Sequence, residues 1–274
     1  MVSVAEKRRA FRALHASGCF LLPNPFDIGG ARYLQHLGFP ALATTSAGLA
    51  WSLGRPDGAV PRAAVLDHMR AMVDATDIPI NADFESGYAD DPDGVAESVR
   101  LCVATGVAGL SIEDRTADKT KPLYEIAEAV ERIKAARAAI DAAGGDTILV
   151  ARSECFLVGH SEPLQEAIRR LEKFAEAGAD CLYAPGPRRR DDIAAIVKAV
   201  APKPVNVLVG GPIDMTLADL AALGVRRVSV GGALARVAWG AFMRAAADLK
   251  DGRFDSFGNA VGFAELTGFF VKGG

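Results

Sequence analysis

Cysteine is scarce in this chain and never paired: Cys19, Cys102, Cys155 and Cys181 stand singly, with no CxxC spacing. That argues against a zinc knuckle and against a disulfide framework. Charge is nearly balanced, at −3 over 274 residues, so nothing draws the whole molecule to nucleic acid or to an anionic membrane. No apolar run approaches the ~20 residues of a membrane span. The first residues, MVSVAEKRRAFRALHASG, mix charged and apolar residues at helical spacing and lack a signal-peptide core. The expectation is a cytoplasmic protein without nucleic-acid or membrane partners. Nucleotide-loop signatures are missing too: no GxGxxG follows the first strand, and no GxxxxGKS or GxxxxGKT occurs anywhere.

What is present is a regular alternation. Apolar strand-like runs at 19–26, 41–47, 78–85, 109–114, 147–154, 181–185, 204–209 and 226–230 are each followed by a helical pattern. The helices fall at 28–36, 62–75, 93–105, 123–142, 163–177, 191–200, just after 215, and at 233–249, with one amphipathic helix ahead of the first strand. Gly38, Gly106, Gly178 and Gly224 end helices just before the next strand. Several strands are almost continuously apolar, as strands buried on both faces should be. Eight such units predict a (β/α)8 TIM barrel, α/β in class, in one domain over 1–274. The competitor, a doubly wound open sheet, lacks its nucleotide loop.

The tail at 251–274 shows no dominant strand or helix pattern. Between Phe254 and Phe270 it holds five of the thirteen phenylalanines. A partner subunit is the simplest cover for them, so a homo-oligomer is expected.

A barrel of this kind builds its site from the C-terminal ends of its strands. The third strand runs into INADFESGYADDP (80–92) and places Asp83 and Glu85 two residues apart, on one face if the strand continues. Two like charges held so close need a cation or a shared proton; the alternative is a solvated acidic turn. Asp91-Pro92 reads as a helix start. The fourth strand ends in Glu113 and Asp114, the fifth in Arg152 and Glu154. Asn206 lies on the seventh strand, and Ser229 with Gly231 closes the eighth. Carboxylates without clustered His or Cys suit Mg²⁺ or Mn²⁺. No HxH follows the first strand, against a zinc amidohydrolase-type barrel, and no lysine ends the sixth, against a Schiff-base aldolase.

Arg152 has the fork to hold a small carboxylate or phosphonate, and a structural ion pair is its other reading. Asp57, in Arg-Pro-Asp-Gly, is also an ordinary turn signal. Asp114 and Glu154 read equally as partners of Arg152 or Lys119, and Cys155 as an apolar filler. Of the four histidines only His160 falls near the mouth. Arg188–Arg190 reads as a solvated run, and Gly231-Gly232 as a phosphate turn or a plain reversal.

In order and spacing, TTSAGLAWSLGRPDG (44–58), NADFESGY (81–88), SIED (111–114), ARSE (151–154) and PVNVLV (204–209) resemble the phosphoenolpyruvate mutase/isocitrate lyase superfamily. The resemblance spans about 23–232. It implies that Asp57, Asp83, Glu85 and Glu113 form an Mg²⁺ site, partly through water. It implies that Thr45, Ser46, Ala47 and Gly48 cradle the substrate's carboxylate or 2-oxo group, with Arg152 binding the substrate and Asn206 alongside. Members cleave or form a C–C or P–C bond next to a metal-bound pyruvate enolate and are typically tetramers that exchange a C-terminal helix, which implies a homo-oligomer here, a dimer or a homotetramer.

Departures narrow this. The K-K/R-C-G-H loop of isocitrate and methylisocitrate lyases is replaced by 115–124, RTADKTKPLY, which has no Cys, Gly or His. Lys119-Thr120-Lys121 is loosely similar to the phosphonate branch's lysine loop. Asp-Phe-Glu stands where many members have Asp-Ala-Asp. The reading is an Mg²⁺-dependent carbon–carbon lyase or decarboxylase of a small 2-hydroxy or 2-oxo di- or tricarboxylate, with Arg152, Glu113 and Lys119 as catalytic residues. Its alternatives are phosphonopyruvate-type P–C chemistry and a barrel that only binds a metabolite.

Overall fold

The computed structural model describes residues 2–271. In chain order the elements are α1 (Val4–Ala16), β1 (Phe20–Leu22), α2 (Ile28–His36), β2 (Leu42–Ala43), α3 (Ser46–Ser52) and α4 (Arg62–Asp74). There follow β3 (Ile80–Asp83), α5 (Pro92–Val103), β4 (Gly109–Glu113), α6 (Ile126–Ala142), β5 (Ile148–Arg152) and α7 (Pro163–Glu176). The chain ends with β6 (Cys181–Tyr183), α8 (Arg190–Val200), β7 (Val205–Leu208), α9 (Leu217–Ala222), β8 (Arg227–Ser229), α10 (Ala233–Lys250) and α11 (Phe263–Val271).

All eight strands pair in parallel, in the order β1-β8-β7-β6-β5-β4-β3-β2. The two ends of that order, β1 and β2, meet through fewer bonds. Ala43 donates its amide to the Pro23 carbonyl at 3.0 Å. The Asn24 side chain donates to the Thr44 carbonyl at 2.8 Å and accepts from the amides of Val230 and Gly231, each at 2.9 Å. With that seam the strands form the expected (β/α)8 barrel.

Period-two alternation explains the layers. Leu42, Ile80, Ala82, Leu110, Ile112, Leu149, Ala151, Leu182 and Val205 face outward and join the helices in one large core. Inward-facing Phe20, Leu22, Ala43, Ile148, Val150, Cys181 and Tyr183 form a second, smaller core inside the barrel. Helix α1 opens with a capping box between Ser3 and Glu6 and closes the barrel floor with Phe11, which is fully buried in the inner core. Gly109 makes room for that ring: a Cβ there would lie 2.7 Å from both the Phe11 ring and the Asn81 amide oxygen. Helix α5 starts as expected, with Asp91 accepting from the Gly94 amide at 2.8 Å and Pro92 at the first turn.

Two expectations need correction. The second strand does not run to residue 47: Thr45 caps a helix whose first residue is Ser46, accepting from the Gly48 amide at 3.2 Å. A threonine followed by small residues satisfies orphan amides better as a cap than as a strand end. The tail is also more regular than its sequence suggests, with a 3-10 turn over Asp255–Asn259 and then α11. Residues 272–274 of the expected tail lie outside the described residues.

Candidate active site

The inward positions at the strand ends converge on Arg152. Its Nη1 lies 3.2 Å from Glu113 Oε2 and 3.5 Å from Asp83 Oδ1, and its Nε lies 2.5 Å from Glu154 Oε1. Register explains the meeting: Glu113 pairs with Arg152 across β4 and β5, and Arg152 with Tyr183 across β5 and β6. The guanidinium carbon sits 5.3 Å from the centre of the Tyr183 ring. Burial works against the arginine's charge, yet Glu113, Glu154, Tyr183 and Asp83 outweigh it, holding the guanidinium well above its ordinary value.

Asp83 faces the other way as well. Its Oδ2 accepts from the Ser46 amide at 2.9 Å, while its own amide donates to Thr44 Oγ1 at 2.9 Å. The carboxylate therefore ties the end of β3 to the first turn of α3, the segment 45–48 singled out as a cradle. In the structure the Ser46 and Gly48 amides are engaged by Asp83 and by Thr45, respectively.

Glu85 reaches the mouth by another route than the expected strand face. β3 stops at Asp83, and Glu85 has a left-handed φ of 47°. The carboxylate then hydrogen-bonds the Tyr88 hydroxyl at 2.7 Å, and Tyr88 is left-handed too, at 55°. Burial pushes Glu85 up to about 7, with Asp83 and Asp57 adding to the rise and Tyr88 and Arg152 opposing it. Glu113 moves the same way, first through burial and then through Glu154, Asp83 and Glu85, against the pull of Arg152. Asp57 is exposed on the loop after α3, close enough to be felt by Glu85.

Lys119 is exposed in the loop between β4 and α6, a loop pinned at its base by the Arg115–Leu123 bridge. Asn206 lies deeper than the mouth. Its amide nitrogen donates to Ser229 Oγ at 2.9 Å, and its oxygen accepts from Arg227 Nε at 2.8 Å.

Behind the mouth stands a buried ion pair. Asp114 Oδ2 accepts from Arg170 Nη1 at 3.1 Å, and Oδ1 accepts from the Glu154 amide at 2.8 Å. Asp114 thus braces the β5 end without touching the mouth, and Cys155 beside it is buried filler. Below the mouth, Arg227 also donates to Asn81 Oδ1 at 3.1 Å and meets His15 Nε2 at 3.4 Å. Burial and the Arg227 charge push His15 down to about 3, so it stays neutral.

Sequence reasoning missed Arg227 and His15, although both carried a signal. Arg227 alternates with Ser229 on the inward face of RRVSV, and His15 follows Phe11 by one helical turn. Arg132 was missed as well, on the stripe Ala129, Arg132, Ile133, Ala136 and Ile140 that α6 buries.

Three carboxylates, Asp83, Glu113 and Glu154, thus contact one guanidinium, and Glu85 is near enough to feel its charge. The second oxygen of Glu154 is buried without a partner. Among the described residues no three His, Cys, Asp or Glu side chains are gathered to hold an ion directly. An all-oxygen, carboxylate-rich set that is spread in this way fits a hard divalent cation keeping several waters, and fits zinc or copper poorly.

A closed parallel barrel with acids and one arginine at the C-terminal mouth defines a class: barrel enzymes that handle small anions. The phosphoenolpyruvate phosphomutase family model matches residues 11–250, and the chain belongs to that family of lyases and mutases. A solved protein of Burkholderia cenocepacia J2315, described as a candidate lyase/mutase, is 48% identical, with TM-score 0.94 over 98% of this chain and 97% of that one. Oxaloacetate decarboxylase of Paraburkholderia xenovorans (strain LB400) is 30% identical over 81% of this chain and 74% of its own length. Phosphonopyruvate hydrolase, solved with oxalate and Mg²⁺, is 29% identical with TM-score 0.85, over 99% of this chain and 97% of that one. No helix among the described residues is long and apolar enough to cross a membrane.

Proposed function

We propose that this chain is a divalent-metal-dependent carbon–carbon lyase or decarboxylase acting on a small 2-oxo or 2-hydroxy di- or tricarboxylate. The observation that carries the reading is the Arg152 cluster at the barrel mouth, where one guanidinium faces Asp83, Glu113 and Glu154. Asp83, Glu85 and Glu113, with Asp57 from the loop, would hold Mg²⁺ or Mn²⁺, largely through water. When bound, the cation would supply Lewis-acid stabilisation of enolate charge.

The chain's own residues do the rest. Arg152 anchors the substrate carboxylate, releasing one of its carboxylate partners to do so. In the first turn of α3 the Ser46 and Gly48 amides are held by Asp83 and Thr45, and the Ala47 amide is the donor left to face the 2-oxo group. The loop 115–124, carrying Lys119, covers the mouth and excludes water that would quench the carbanion. For a 2-oxo substrate, breaking the C3–C4 bond releases CO2 and leaves the electron pair on C3, beside the 2-oxo group, where a proton from a mouth carboxyl completes pyruvate. For a 2-hydroxy substrate, a mouth carboxylate takes the hydroxyl proton, C2 becomes the 2-oxo carbon, and the C2–C3 pair leaves on the other carboxylate fragment, which a proton then completes.

Exposed apolar side chains on α10 and α11, among them Phe242 at 63%, Met243 at 64% and Phe263 at 86%, support a homo-oligomer of such barrels; a cytoplasmic location is a separate part of the proposal. Each barrel is one domain.

The test is pyruvate release, coupled to lactate dehydrogenase, from oxaloacetate, methylisocitrate, isocitrate, dimethylmalate and phosphonopyruvate, with and without Mg²⁺. Metal-dependent pyruvate from a carboxylate, lost in Asp83→Ala, is the expected result. Turnover of phosphonopyruvate alone, lost in a Lys119/Lys121 double substitution, would replace the reading with P–C chemistry. Saturable oxalate binding with no turnover of any candidate would leave a binding barrel.

A further inference from the structure

Arg132 stands on the buried stripe of α6, where a charged side chain is costly. It is 1% exposed and forms no salt bridge among the described residues. Its guanidinium instead donates to three carbonyls of one turn: Ser86, Ala89 at 2.9 Å and Asp90 at 2.6 Å. The Tyr124 ring covers the guanidinium, 4.0 Å from its carbon to the ring centre.

Packing alone would be met by Leu or Met. A planar fork is the side chain that can reach three carbonyls at once. The turn it grips contains both non-glycine residues with left-handed φ among the described residues, Glu85 and Tyr88. Such residues are strained by ~1–2 kcal/mol each, and they persist only where surrounding contacts over-determine the backbone. Gly87, with its amide on the Phe84 carbonyl at 2.9 Å, and Glu113, with its amide on the Glu85 carbonyl at 2.9 Å, hold the near side of the turn. Arg132 holds the far side.

We propose that Arg132 is a positioning residue that fixes the 84–91 turn in the shape that aims the Glu85 carboxylate at the mouth. The proposal rests on the reading of Glu85 as a metal-holding group. It assigns to a helix residue remote from the chemistry a share of the affinity for the divalent cation.

The experiment compares the full-length wild type with Arg132→Met and Arg132→Lys. Mn²⁺ binding is measured by titration calorimetry below the melting transition, and hydrogen exchange of the 84–91 turn is measured without metal. Arg132→Met is expected to bind Mn²⁺ about 10–100-fold more weakly, as losses of outer ligand supports do. Its Gly87 amide should exchange faster, and Arg132→Lys should fall between the two. Should Arg132→Met fail to fold, Arg132→Lys carries the test, because it keeps the charge but reaches fewer carbonyls. A folded variant that binds Mn²⁺ within twofold of wild type overturns the proposal. A wild type that binds no Mn²⁺ overturns the metal reading, and the proposal with it.

Discussion

Replacing Glu85 by Gln is expected to stabilise the metal-free chain above about pH 7 and to change little near pH 5. Burial lifts the Glu85 carboxyl from an ordinary value of 4.5 to about 7. The folded state therefore holds this proton more tightly than the unfolded chain does. The corresponding stability is fully present below about 4.5 and is lost as pH rises through about 7. At about 1.4 kcal/mol for each pH unit the loss is about 3.5 kcal/mol. The partial exposure of Glu85 trims it to about 2 kcal/mol.

A glutamine keeps an oxygen for the Tyr88 hydroxyl and never ionises, so it escapes that loss. Urea unfolding of both chains from pH 5 to 8 measures the effect, read as the difference between them. The raw curves mix in His15, which is neutral when folded and so adds stability as pH rises toward its ordinary 6.5. Mn²⁺ should reverse the ranking at pH 8, where 100 times its Kd adds about 2.7 kcal/mol to a chain that binds it. At pH 5 protons compete for the same oxygens and the gain shrinks. Two chains whose midpoints follow one pH curve would refute the account of a buried, charge-crowded Glu85.

Arg170→Met strands Asp114 as a buried lone charge and is expected to cost about 3–5 kcal/mol in urea unfolding near pH 8. Asp114→Asn in the same chain should recover much of that. The cost should also shrink as pH falls toward about 6, the value Asp114 holds with Arg170 in place, because losing Arg170 lets burial lift its carboxyl higher still. Arg152→Lys replaces a fork spanning Glu113, Asp83 and Glu154 by a point charge, and kcat/KM should fall on the order of 100-fold without a change in melting cooperativity. Phe263→Glu on α11 should shift the sedimenting species toward monomer if that face is covered by another subunit.

The barrel was legible because each strand, buried on both faces, announces itself by an apolar run, and a glycine marks the end of many of the helices. Strand ends were less legible, since apolar burial continues into the turns: 78–85 reads as one strand, yet regular pairing covers only Ile80–Asp83. That is why Asp83 and Glu85 seemed to share a face. In fact the left-handed backbone at Glu85 brings its carboxylate back toward Asp83. Arg152 was legible as an inward arginine at a strand end. Arg132 was not, because a helix arginine is ordinarily solvated and only the three-dimensional turn supplies its carbonyls. His15 was missed too, because only the fold shows that α1 lies across the barrel floor and turns that face inward. The tail hid α11 because Phe263, Leu266 and Phe270, though at helical spacing, sit among other apolar residues.

Asn24 has a consequence for how the ring can come apart. Elsewhere neighbouring strands are zipped by backbone pairs, but between β1 and β2 the one backbone bond from Ala43 to Pro23 is joined by a side-chain amide that also grips the start of the turn after β8. Breaking this one stitch frees three backbone groups at once, and one of them, the Thr44 carbonyl, adjoins Thr45 and Ser46. The barrel therefore has a weakest meridian, and that meridian runs past the turn at 45–48. Local opening there would disturb the proposed anion cradle while the rest of the ring stayed shut, so wear at the seam would register as lost chemistry before it registered as lost fold.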